Sequence, residues 1–492
     1  MFGLLSTWSL ATARYGGPDE PAHVLRAASV AHGELVGSVV PELAPGFRAV
    51  NVPGELATGD PACFRHDPHV PATCAMAQPA GAVRRAATSA GTYPPLYYAM
   101  VGLPVRLIGN VAQVQRYRFV AAFWCALVLA TALRRSRRLP SGALVLAALS
   151  PASWFLFGVV NPNALEIALV LLAWVGVVRI GKSPSPSRSL SPSSALSLSL
   201  SPSPSPSFND LLWFSVPAGF AIMIRPIAAL PWLIMTGVLY HGRNLEGAFA
   251  SKREGWLRRI GLFAAPLGAA VSVLAWNWWS DQRLTDPRTA STLSYRASML
   301  RSARESIDTL RELAGSLGWL EFSAPVWTQV LWWLVVASAG YMMWRRDARS
   351  VRRWFALLAL VFVSPVVFET FFAHRIGFVW QGRYSIPTAI GLVVLSMRLE
   401  LPRTVLAVPS AWAIAATVFA IEIGTYWYTL RRYTVGIDGS WLFRRAGWHP
   451  PVGSFVLIAL NAALIASLLA MHQRTSTVRR YIAEICVSDC PR

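Results

Sequence analysis

Apolar runs near 20 residues recur along the whole chain, and short clusters of arginine and lysine stand between them. A helix of about 20 apolar residues crosses the hydrocarbon layer of a bilayer, so this pattern predicts a polytopic helical membrane protein. The runs that read as spans are 117–133, 141–158, 163–180, 209–223, 227–241, 260–279, 326–344, 354–373, 384–398, 404–428 and 453–471. Met1 to Ala13 is apolar but short for a span at ~1.5 Å of rise per residue. Either the true start lies earlier or neighbouring helices hold it. It lacks the basic start and A-x-A site of a cleaved signal peptide. With it, the pattern predicts an all-α integral-membrane bundle of about 12 transmembrane helices, with both termini inside.

The basic clusters orient the bundle. Arg134, Arg135, Arg137 and Arg138, and later Arg345 to Arg353, belong to the cytoplasmic side. Residues 15–93 and 280–325 are then outer loops, with Asn161-Pro162-Asn163 the outer tip of a hairpin. Only one crossing fits between loop 15–93 and the cluster after 117–133, so 94–110 is expected as a half-inserted or juxtamembrane helix. Pro21 to His32 reads as a short amphipathic helix on the membrane surface. In the second outer loop Leu300, Ala303, Ile307, Leu310 and Leu313/Ala314 share one helical face, opposite Arg301, Arg304, Glu305 and Asp308. Residues 183–207 are almost entirely Ser, Pro and Leu, a disordered cytoplasmic loop. A cytoplasmic tail over 472–492 closes a single integral-membrane domain.

Composition agrees. The 492 residues are 54% hydrophobic and 14% charged, with a formal net charge of +21, where a soluble chain carries about 25% charged residues. The basic excess follows the positive-inside pattern and argues against nucleic acid as a partner. Of five cysteines, Cys63 and Cys74 share the first outer loop, where a disulfide could persist. Cys125 suits packing, and Cys486 and Cys490 read as free cytosolic thiols rather than a metal site.

Candidate chemistry gathers on the outer side. Gly17-Pro18-Asp19-Glu20-Pro21-Ala22-His23 presents two carboxylates and a histidine at a turn stiffened by two prolines. Asn161, Asn163, Arg225, His374, Arg375, Gln381, Arg383 and Tyr384 fall at outer helix ends, and Tyr97 lies in the aromatic start of 94–110. Carboxylates can take a proton from a hydroxyl nucleophile, and guanidinium groups can neutralise a leaving phosphate. Plainer roles remain open. Asp19 and Glu20 could cap the helix that follows. Arg225, beside Pro226, could snorkel, and Gln381-Gly382-Arg383-Tyr384 could anchor at the interface. His374 suits an ordinary surface histidine. No zinc spacing or phosphate-binding glycine loop is present, although the Asp19/Glu20 pair could hold a divalent cation.

Six motifs stand in a particular order: Pro-Asp-Glu-Pro-Ala-His at 18–23, Tyr-Pro-Pro-Leu-Tyr-Tyr at 93–98, Asn-Pro-Asn-Ala-Leu-Glu at 161–166, Arg-Pro at 225–226, Gly-Trp-Leu-Glu at 318–321 and Gln-Gly-Arg-Tyr at 381–384. Together they resemble a bacterial family of multi-pass membrane proteins without an assigned function, related to the GT-C glycosyltransferases. The resemblance implies a GT-C fold whose first outer loop carries the catalytic acid. It also implies transfer of a sugar, usually with inversion, from a polyprenyl-phosphate carrier to a glycan or lipid acceptor outside the cytoplasm. Asp19 would match the catalytic base with Glu20 beside it, and Arg225, Arg383 and Arg375 would be candidates for the carrier phosphate. The expected location is the bacterial plasma membrane, with the site on its extracytoplasmic side. The alternatives are a transporter or flippase of lipid-linked glycans and a non-catalytic scaffold of the same fold.

Overall fold

The computed structural model describes residues 1–40, 42–43, 46–57, 63–73, 75, 82–109, 111–137, 144–180, 208–241, 252–281, 290–398 and 407–488. The chain begins with α1 (Phe2–Ala11) and α2 (Glu20–Ala31), followed by β1 (Arg48–Val52), α3 (Gly54–Ala57) and β2 (Arg84–Thr88). Next come α4 (Pro95–Ile108), α5 (Val114–Ser136), α6 (Leu144–Ala147), α7 (Pro151–Leu156) and α8 (Pro162–Ile180). After α9 (Phe208–Ile224), a 3-10 turn at Pro226–Ala228 leads into α10 (Ala229–His241) and α11 (Lys252–Trp279). The second outer segment holds α12 (Tyr295–Gly315), β3 (Ser316–Leu317) and β4 (Phe322–Ser323). The chain ends with α13 (Val326–Arg346), α14 (Ala348–Ile376), α15 (Gly382–Val394), α16 (Ala407–Val435) and α17 (Ser454–Ser488). The Ser/Pro-rich 183–207 loop lies outside the described residues.

Among the described residues seven helices are long and apolar enough to cross a membrane: α5, α8, α11, α13, α14, α16 and α17. Length and apolarity alone do not reach the expected count of about 12; α1, α4, α9 and α10 are shorter apolar helices. The run 141–158 forms α6 and α7, two short helices buried at every position. The run 384–398 is α15, 13 residues long and buried from Gly382 to Val394 except at Tyr384, which is half-buried. Both are core, and apolarity alone does not separate a buried core helix from a lipid-facing one. The stretch 94–110 forms the 14-residue helix α4.

Short α1 is held by its neighbours. The Trp8 indole donates to Glu422 Oε1 at 2.8 Å. Asn461 Nδ2 donates to Thr7 Oγ1 and to Glu422 Oε1, both at 3.0 Å, and the Tyr426 hydroxyl donates to the Thr7 carbonyl. Leu4, Leu5, Trp8 and Ala11 are buried beside these bonds. In low-dielectric surroundings such satisfied polar contacts fix helix position. Near the centre, α8 is almost wholly buried. Its Gly176 lies against the backbone of Trp213 and Phe214 in α9.

The first outer loop is a folded cap, not only a surface loop. Strands β1 and β2 pair antiparallel, Arg48 opposite Thr88 and Val52 opposite Arg84, and Cys63 is disulfide-bonded. The pairing joins segments far apart in sequence, so no short hairpin signal announces it. In the second outer segment α12 keeps Leu300 and Ile307 exposed while Ser298, Ser302 and Ser306 turn inward. The face is thus open as far as Ile307, while Leu310, Leu313 and Ala314 at its other end pack on the core, and hydroxyls mediate much of the remaining packing.

Gly102 of α4 sits where a Cβ would run into the Ala27 carbonyl of α2. Gly102→Ala is therefore expected to force these helices apart and cost about 1–3 kcal/mol. Thermal unfolding in detergent should show a lowered midpoint, with a Gly268→Ala variant, in helix α11 with open space around it, as the comparison for backbone effects alone.

Candidate active site

The turn before α2 is held from four sides. Arg118, buried in α5, donates to the Thr12 and Ala13 carbonyls. The Trp319 indole, from the β3–β4 hairpin, donates to the Tyr15 carbonyl at 2.9 Å. The Tyr433 hydroxyl of α16 donates to the Gly16 carbonyl at 2.9 Å. Asn161, at the start of α8, donates to the Pro18 carbonyl at 2.9 Å. Gly17 is wedged against Val159, with no room for a side chain. Asp19 follows in the left-handed conformation, φ 58° and ψ 9°, which costs a non-glycine residue roughly 1–3 kcal/mol and persists only where the surroundings impose it.

Glu20 and Asp19 part company here. Glu20 is fully buried; Arg118 reaches its two oxygens at 2.7 Å and 2.6 Å, and the Val160 and Gly17 amides donate to them as well. Its role is therefore to pin the turn, and its oxygens are not open to a substrate. Asp19 has a side chain 46% exposed, and its Oδ2 accepts from Arg383 at 2.5 Å. Burial would raise its pKa, but the guanidiniums of Arg383 and, more weakly, Arg225 hold its carboxyl below the usual range. It is an ionised carboxylate with an open face.

Around Asp19 several helix ends converge. His23 shares a hydrogen bond of 2.9 Å with the Tyr98 hydroxyl. Burial pushes its pKa down to about 3, against the opposing pull of Asp19, so the ring is neutral. Arg383 is 6% exposed, and its guanidinium lies 5.3 Å from the centre of the Tyr384 ring. Arg225, at the break between α9 and α10, lies 5.0 Å from the same ring. Its Nε stands 3.9 Å from Glu166 Oε2, an ion-pair distance too long for a hydrogen bond. Asn163 orients Glu166 at 3.1 Å, and Asn161 Oδ1 accepts from the Asn163 amide. Two guanidiniums thus flank one tyrosine, each opposite a carboxylate. Such a pair of sites can exchange its internal partners for an anionic ligand.

The structure joins Asp19, His23, Asn161, Asn163, Arg225, Arg383 and Tyr384 in one cluster, and puts Glu20 behind it. Tyr97 is buried edge-on to Tyr98, which is the member that reaches His23. Gln381 caps α15, with its side-chain oxygen buried and unpartnered. His374 packs edge-on against Tyr295 and bonds to the Ser291 carbonyl, at the other end of α12, and Arg375 is exposed there. Neither bonds to the cluster. A cation shared by Asp19 and Glu20 does not fit, because the Glu20 oxygens are taken and Asp19 faces a guanidinium. Among the described residues no group of three or more His, Cys, Asp or Glu could hold a metal. Sequence reasoning passed over Arg118, Glu166 and Tyr98 as site residues. Arg118 and Glu166 carried a signal, a charge inside an otherwise apolar helix.

Residues 2–392 match the family described as "Predicted membrane protein (DUF2142)". The chain belongs to this family. Among proteins with reviewed descriptions none matches in sequence. The fold is similar to the crystal structure of ArnT from Cupriavidus metallidurans bound to undecaprenyl phosphate, at 13% identity and a TM-score of 0.44, over 97% of this chain and 76% of that one. It is also similar to the oligosaccharyltransferase of Archaeoglobus fulgidus in the apo form, at 14% identity and a TM-score of 0.36, over 96% of this chain and 55% of that one. Both are GT-C glycosyltransferases.

Removing Arg118 leaves Glu20 as an unpaired buried carboxylate, so Arg118→Met is expected to cost about 3–5 kcal/mol. The Glu20→Gln/Arg118→Met double variant should lose less than Arg118→Met alone, measured by unfolding in detergent. A second expectation concerns His23. An unfolded histidine takes a proton below pH 6.5, but the folded one does so only near pH 3. Stability present above pH 6.5 is lost as the pH falls through that window. Unfolding midpoints of His23→Gln should fall less steeply there than those of the parent.

Proposed function

We propose that this member of the DUF2142 family is an inverting glycosyltransferase that moves a sugar from a polyprenyl phosphate to a hydroxyl acceptor. The observation that carries the reading is the open, ionised Asp19 carboxylate beside two largely buried guanidiniums, Arg383 and Arg225, at outer helix ends. Asp19 accepts the proton of the acceptor hydroxyl. The oxygen attacks the anomeric carbon, forming the new glycosidic bond, while the bond from that carbon to the carrier phosphate breaks. The electron pair leaves on the phosphate, whose charge Arg225 and Arg383 neutralise. Tyr384 lies against both guanidiniums, and neutral His23 adds no competing positive charge. The ordered motifs support this reading, since all six send side chains into the cluster or bind the turn that presents Asp19. The disulfide at Cys63, in the same loop as Asp19, supports a site facing an oxidising compartment outside the cytoplasm.

The test uses purified protein in lipid nanodiscs, offered a panel of undecaprenyl-phosphate sugars, with release of carrier phosphate as the readout. Asp19→Asn is expected to lower turnover by ~100-fold or more, in line with loss of a general base, with thermal unfolding in detergent checking that the variant is still folded once Arg383 has lost its charged partner. Arg225→Gln should raise KM for the donor and lower kcat together. Turnover that survives Asp19→Asn would overturn the assignment of the base. Movement of lipid-linked sugar across vesicles without transfer would favour a flippase.

A further inference from the structure

A row of aromatic rings runs from the lipid-facing side of α14 to the two arginines. Phe372, 37% exposed, stacks on Phe368 with ring centres 4.8 Å apart. Phe368 meets Trp380 at 5.3 Å, and Trp380 meets Tyr384 at 6.0 Å. Tyr384 is the ring that Arg225 and Arg383 share. Trp380 is fixed at both ends: its amide donates to Glu369 Oε1 and its indole donates to Ser385 Oγ, each at 3.0 Å. Around Phe372 the α14 surface is apolar and open, with Phe371, Val367 and Val363 exposed. One end of the row is therefore exposed and apolar, as a lipid-facing surface would be, and the other meets two guanidiniums whose carboxylate partners an anion can replace.

An amphiphile with an anionic head and a long hydrocarbon chain satisfies both ends. The rings favour a particular chain. Flat aromatic faces pack well against the methyl branches and planar double bonds of an isoprenoid, whose restricted torsions also lose less entropy on binding than those of a saturated acyl chain. We infer that Phe372, Phe368 and Trp380 seat the isoprenoid chain of a polyprenyl phosphate and lead its head to Arg225 and Arg383. The inference rests on the donor class proposed above. It adds the path by which that donor leaves the bilayer.

The experiment compares the parent with Phe368→Ala and Phe372→Ala in phospholipid nanodiscs. Binding of undecaprenyl phosphate and of two-isoprene geranyl phosphate is followed by intrinsic tryptophan fluorescence, and thermal unfolding checks that each variant is folded. The parent should bind the long carrier at least about tenfold more tightly. The variants should lose most of that preference while binding geranyl phosphate as the parent does. A chain-length preference that survives in both variants, or an equal loss for both ligands, overturns the inference. So does phosphatidic acid that competes as well as undecaprenyl phosphate, because the row would then take any lipid chain. Sugar transfer, assayed in parallel, separates the two claims. A parent that binds with the expected preference but transfers nothing sinks the transferase reading alone. Transfer that is indifferent to carrier length in every variant sinks the ring path alone.

Discussion

The rest of the site depends on the buried pair of Arg118 and Glu20. A guanidinium inside an apolar helix is unfavourable unless its donors are satisfied. Arg118 satisfies them with the Glu20 carboxylate and with backbone carbonyls of the turn that enters α2. That one side chain ties α5 to the end of α1 and to the beginning of the first outer loop. Trp319, Tyr433 and Asn161 then take the remaining carbonyls on either side. The turn has few degrees of freedom left, and Asp19 is held in a backbone conformation it would not choose. The adjacent acids thus divide the work by environment. Glu20, with every partner supplied by protein, is structural, and Asp19, with one face open, is available for chemistry.

The bundle around this turn was largely legible as apolar runs and basic clusters, because lipid imposes a length and positive charge imposes an orientation. The length rule fails where an apolar segment is core. Runs 141–158 and 384–398 became short buried helices for that reason, and nothing in their composition distinguishes them from spans. The β1–β2 ribbon was hidden differently, since its strands are joined through more than thirty residues. Of the site, the expectation that Asp19, Arg225 and Arg383 share one side came from topology, their motifs drew attention to them, and the structure brings them into one cluster. Which acid is free and which arginine reaches it depended on three-dimensional partners. Arg375, a further candidate on the sequence, ends exposed at the far end of α12, while Arg383, the second residue of α15, faces Asp19.

Several motifs acquire a physical meaning in this arrangement. Asn161 and Asn163 are two rungs of one ladder, the first bonded to the Pro18 carbonyl and the second to Glu166, so a single helix start serves the carboxylate turn and the second arginine together. Trp319 serves the turn through its indole while Glu321, two residues on, engages Arg432 at 3.4 Å. Burial raises the Glu321 pKa to about 7 against the pull of that arginine. The Gly-Trp-Leu-Glu hairpin therefore works as a brace between the first outer loop and α16.

The same brace bears on where the functional unit ends. Arg432 donates to the carbonyls of Phe64, Asp67 and Val70, Tyr433 reaches Gly16, and Glu422 and Asn461 hold α1. All four lie beyond residue 392, where the similarity to the family stops. A chain trimmed to the matching region would keep every candidate for proton transfer and phosphate binding. It would nevertheless lose the scaffolding that aims them. The recognisable portion of this protein and its working portion are not the same length.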